Sequence, residues 1–101
     1  MLQHITVEVH CHWSDIPPVY RIYVDQDMIT ERTFGWPGYQ VFIKENIICD
    51  LNPGSHMVRV ENCNDHGTIT IENLHVEGHK GSDHPNYRDP SLQFIKFDVS
   101  P

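Results

Sequence analysis

With 101 residues, 39% of them hydrophobic and 21% charged, the chain has the size and composition of one globular domain spanning residues 1–101. A formal charge of -7, with only seven dispersed Lys and Arg, excludes the clustered cationic surface that nucleic-acid binding requires. No apolar run approaches the roughly 18 residues of a membrane span, and MLQHITVEVH lacks the basic and hydrophobic blocks of a signal peptide; synthesis in a cytoplasm without membrane insertion is expected.

Period-two alternation dominates from the start. Ile5, Val7, Val9 and Cys11 share one face of a predicted strand, with Thr6, Glu8, His10 and His12 on the other. His10 and His12 form an H-x-H pair, a spacing that recurs in metal sites, with His4, His79, His84 or Asp83 as conceivable further ligands. The pair by itself is incomplete, and no metal or other cofactor is expected. Pro17 and Pro18 then break the strand.

VYRIYVDQDMITERTF reads as two strands joined through Asp25-Gln26-Asp27. In TFGWPGYQVF, Phe34, Trp36, Tyr39 and Phe42 surround a Pro37-Gly38 turn. Such rings can close a core, anchor a protein interface or stack on a sugar, and Phe34, Trp36 and Tyr39 enter as candidate binding residues. The next alternating run, QVFIKENIICDL, carries Glu45 in phase with Ile43 and Ile47. Burial would raise its pKa and equip it as an acid, although a strand-edge or interface carboxylate is the favoured reading.

NPGS has the residues of a type II turn and leads into HMVRVEN, where Val58 and Val60 face opposite to Met57, Arg59 and Glu61. The polar loop CNDHG and the strand TITIENLHVEG follow. Oxygen ligands in VDQDMITE and ENCNDHG could attract calcium, but neither has EF-hand spacing and turn chemistry accounts for both. Gly78 to Ser91 is read as a long loop whose Tyr87 is a further candidate binding residue; LQFIKFDV closes the chain as a strand.

Seven to eight short strands with turn signals between them predict an all-β, antiparallel β-sandwich, with a jelly roll as its topology. Three cysteines cannot all pair within one chain; Cys11 and Cys49 lie in apolar series and read as small core hydrophobes. No serine has a nucleophile-elbow context and no phosphate-binding loop is visible, so an enzyme is not expected.

The succession YRIYVDQDMI, IICDLNPGSHMVRVEN and TITIENLHVEG resembles the framework of non-catalytic carbohydrate-binding jelly rolls, especially small calcium-dependent xylan-binding modules. The resemblance covers Tyr20 to Gly78 and carries over only the fold, because the metal-binding aspartates of those modules have no secure counterparts here. The whole chain, from ITVEVHCHW through YRIYVDQDMITERTFGWPGY, also looks like small accessory proteins of tailed phages. That resemblance implies a non-enzymatic virion component, a capsid decoration or a tail or fibre module, which contacts phage structural proteins or itself as a homo-oligomer. A polysaccharide-binding module is the alternative, and a small metal-dependent enzyme the third reading.

Overall fold

β-branched residues alternating with polar ones produce the first strand, β1 (Leu2–His12), which turns Ile5, Val7 and Val9 fully inward. The structure is a computed structural model that describes residues 2–35, 42–77, 85–88 and 93–99, with 77 and 85–88 described by backbone alone. Among these residues β1 is followed by β2 (Val19–Val24), β3 (Asp27–Thr33), β4 (Phe42–Asp50), β5 (Gly54–Asn62), β6 (Thr68–Glu77), β7 (Pro85–Arg88) and β8 (Phe94–Val99). No helix occurs among them, and hence none long and apolar enough to cross a membrane.

The strands form two antiparallel sheets, one of three strands in the order β4-β1-β6 and one of five in the order β3-β2-β5-β8-β7. Their inner faces meet in one core. Ile5, Val7, Val9, Ile47, Ile69, Ile71, Leu74 and Val76 come from the smaller sheet; Tyr20, Ile22, Val24, Val58, Val60, Ile95, Phe97 and Val99 come from the larger. This is the predicted sandwich. The jelly-roll connectivity expected from sequence does not follow from the observed strand order.

Only β2–β3 and β7–β8 connect neighbours within a sheet; every other connection carries the chain from one sheet to the other. Asp25 takes a positive φ of 56° in the β2–β3 turn, as the primed hairpin turns require. Asn52 and Pro53, from the NPGS stretch, lie in the crossover from β4 to β5, and Gly54, the first residue of β5, adopts φ 130°. Leu51 and Phe34, both in crossovers, are buried in the core.

The apolar phase of β6 changes midway, from Ile69 and Ile71 to Leu74 and Val76. A bulge makes this possible: Thr6 pairs with His75 and Glu8 with Glu72, so β6 has one extra residue, and Asn73 has φ 54°. Asparagine tolerates that left-handed conformation better than most residues. Without the bulge, either half of the strand would turn its apolar side chains to water.

The predicted long loop at Gly78–Ser91 requires correction, because Pro85–Arg88 is the edge strand β7 paired to β8. The rest of that stretch lies outside the described residues. Cys11 and Cys49 pack against the core as free thiols, and Cys63 is exposed. Burial pushes the Cys11 thiol up to about 12, which keeps it an unreactive neutral group.

Gln3 interrupts the apolar inner face of β1. It is fully buried, and neither Oε1 nor Nε2 has a hydrogen-bond partner. Since an orphaned buried polar group costs about 1–3 kcal/mol, Gln3→Met should raise stability by about 1 kcal/mol. Urea unfolding checks this, and a less stable variant would assign the amide a partner.

Candidate functional site

The outer face of the three-stranded sheet is built from the residues that alternate with the core series. β1 contributes Leu2, His4, Glu8 and His10, and β4 contributes Phe42, Lys44, Asn46 and Ile48. Leu2, Phe42 and Ile48 are large, apolar and exposed, at 68%, 45% and 71%. Leu2 pairs with Asp50 and His4 with Ile48, so Leu2 and Ile48 are diagonal neighbours at one corner of the face. At the other end Phe42 stacks on His10, with ring centroids 5.1 Å apart and planes 27° apart.

Between these ends the face is polar and cross-linked. Glu8 and Glu72 stand directly opposite each other, an arrangement that repels unless cations or donors intervene. His10 Nε2 lies 3.0 Å from Glu8 and 3.6 Å from Glu72, while the Asn73 amide donates to Glu8 at 2.8 Å. The Asn73 bond, with His10 and Lys44 adding to it, outweighs partial burial and holds the Glu8 carboxyl below its usual range.

His10 is therefore engaged with carboxylates and a ring. His12 lies farther along, in a cleft of about 440 Å³ with Trp13, Ser14, Asp15, Ile16, His66 and Gly67. Among the described residues, no three His, Cys, Asp or Glu side chains are grouped so as to hold a metal ion. The oxygen-rich loops are occupied by structural bonds. Asn62 Oδ1 accepts the amides of Asn64 and Asp65, Asn64 Oδ1 accepts those of Val19 and His66, and Asp25 Oδ1 accepts that of Met57.

Glu45 is buried on the inner side of β4, where its apolar phase placed it, but burial does not turn it into an acid. Arg32 donates Nε to Oε2 at 2.8 Å and Nη2 to Oε1 at 3.0 Å, and the Tyr20 hydroxyl donates to Oε2 at 2.6 Å. Burial alone would push the carboxyl up. The Arg32 and Tyr20 bonds overcome it, and the pKa falls below the usual range. The group is an ionised tie between β4 of one sheet and the β2–β3 pair of the other, where Tyr20 and Arg32 are cross-strand partners.

The aromatic candidates separate. Phe34 is 1% exposed and belongs to the core, which removes it as a contact residue. Its ring packs among the core residues between the two sheets. Trp36 and Tyr39 lie outside the described residues, as does the Tyr87 side chain on β7. Sequence reasoning missed the Leu2, Phe42 and Ile48 surface. Its signal was visible in β4: with Ile43, Glu45 and Ile47 inward, Phe42 and Ile48 are apolar residues in the outward phase. No family model, curated protein or solved structure matches the chain.

Proposed function

We propose that the protein is a non-enzymatic structural module of a tailed-phage particle, a capsid decoration or a tail or fibre component. It acts through protein–protein contacts made by the outer face of the three-stranded sheet. The observation supporting a contact role is that Leu2, Phe42 and Ile48 all expose apolar surface on this one face. Burying a side chain of this class contributes about 1.5–3 kcal/mol, which suits it to anchor an interface. The phage setting rests on the resemblance of the sequence to small phage accessory proteins.

Ile48→Asp tests the contact directly, because an exposed position can take a charge without disturbing the core. The unmodified protein should form a defined oligomer, or co-sediment with particles that contain it. The variant should fold normally and associate at least about tenfold more weakly. A monomeric parent that ignores particles but is retarded in xylan-containing gels would overturn this reading and install the carbohydrate-binding alternative.

A further inference from the structure

Both ring nitrogens of His56 face groups that can only accept a hydrogen bond. Nδ1 lies 2.8 Å from Asp25 Oδ2, and Nε2 lies 2.6 Å from the Asn52 carbonyl oxygen. A carboxylate and a backbone carbonyl are both satisfied only if the ring donates from both nitrogens, which requires the imidazolium. Either neutral tautomer sets a lone pair against one of the two oxygens. The ring cannot readily turn away: its side chain is 13% exposed, and it lies 5.8 Å from the Phe97 ring.

We propose that Asp25, His56 and Asn52 form a protonation-operated clamp, in which the His56 imidazolium ties the β2–β3 turn to the β4–β5 crossover and loss of its proton releases one arm. The turn is fastened to β5 next door as well. Asp25 accepts the Met57 amide at 3.0 Å, and the Asp25 amide donates to the Met57 carbonyl at 2.8 Å. Opening the histidine bonds therefore loosens a local unit in which the β2–β3 turn, the start of β5 and the β4–β5 crossover meet. The array is not a catalytic dyad, because Nε2 is held by a carbonyl and the nearby Ser55 hydroxyl donates to Asp98 at 2.9 Å.

Every element packed around the ring contributes to its electrostatics. Asp25 faces it from the turn, and the Asn52 carbonyl from the crossover. Asp98 acts on it from β8, and Lys96, also on β8, lines the small cavity that His56 shares with Asp25, Ser55 and Met57. Burial pulls the histidine down, but the Asp25 and Asn52 bonds and the charges of Asp25 and Asp98 prevail, leaving it above its ordinary value. A folded value above the open-state value means the clamp is fully closed below about pH 6.5, the ordinary histidine value, and loosens as pH rises through the folded value. Across that window one proton is released on opening, so the opening constant rises by up to about tenfold per pH unit.

Amide hydrogen exchange of the full chain, followed by NMR between about pH 5.5 and 8.5 and corrected for intrinsic rates, reads this at Met57. Met57 protection should fall with pH by up to about tenfold per unit and then level off, while His56→Gln should show low protection without that dependence. At about pH 6.5, where an ordinary histidine is half neutral, the His56 ring of the unmodified protein should still carry protons on both nitrogens in most molecules, which decides the matter even if the variant is unfolded. A neutral His56 ring at that pH, or pH-independent Met57 protection, would overturn the clamp.

Discussion

Phe34→Ala is expected to lower the free energy of unfolding by about 3–5 kcal/mol, the range for removing a fully buried phenylalanine ring. A single domain holds only about 5–15 kcal/mol in all, so the variant should be poorly folded at 37 °C or close to it. The cause is local. Phe34 follows the end of β3, its amide is fixed to the Pro18 carbonyl at 2.9 Å, and its ring fills space between the sheets with 1% exposure. Urea unfolding should show a lower midpoint with an unchanged slope, and Phe34→Leu should recover much of the loss. A midpoint shift worth less than about 1 kcal/mol, with impaired association instead, would return Phe34 to the surface role suggested by its aromatic neighbours.

Arg32→Met should cost about 2 kcal/mol and reverse the acid response. Breaking a fully buried ion pair costs about 3–5 kcal/mol; the guanidinium here is 47% exposed, so solvent screening reduces the loss. In the unmodified protein the Glu45 carboxyl is depressed, so its contribution to stability is present above the ordinary carboxylate range and is lost as pH falls through the lower folded value. Without Arg32, desolvation dominates and the folded pKa lies above the unfolded one. The Glu45 contribution should then improve as pH falls from neutrality, because protonation removes an uncompensated buried charge. Denaturant midpoints of both proteins between about pH 3.5 and 7, a span covering the carboxylate range, check the sign. Parallel pH profiles would show that Arg32 is not what keeps Glu45 ionised.

These two residues also mark where the sequence was legible. Glu45 could be placed on the inner side of its strand because alternation assigns a face without knowledge of any partner. Its ionisation could not be read, because the deciding groups, Arg32 and Tyr20, lie on strands of the other sheet. Phe34 could be assigned to an aromatic corner but not to a side of it. A hairpin turns its end residues toward solvent, whereas a crossover passes over the core, and TFGWPGYQVF is compatible with either.

The same division holds along the chain. Local physics acts through near neighbours: β-branched alternation sets the strands and their faces, proline and the aspartate-rich turn set breaks, and an odd thiol count excludes complete pairing. On that basis the sequence by itself determined an all-β chain, its inward series from Ile5 to Val9 and from Val58 to Val60, and the core-facing phase of Cys11 and Cys49, which pack against the core. Tertiary structure decided what depends on contacts distant in sequence. It placed β4 beside β1, making Leu2 and Ile48 neighbours; it paired Pro85–Arg88 as an edge strand; and it brought Asp25 and Asn52 to opposite nitrogens of His56. Period two specifies which side of a strand is apolar but carries no information about which strand lies next to it, and each of these features depends on that adjacency.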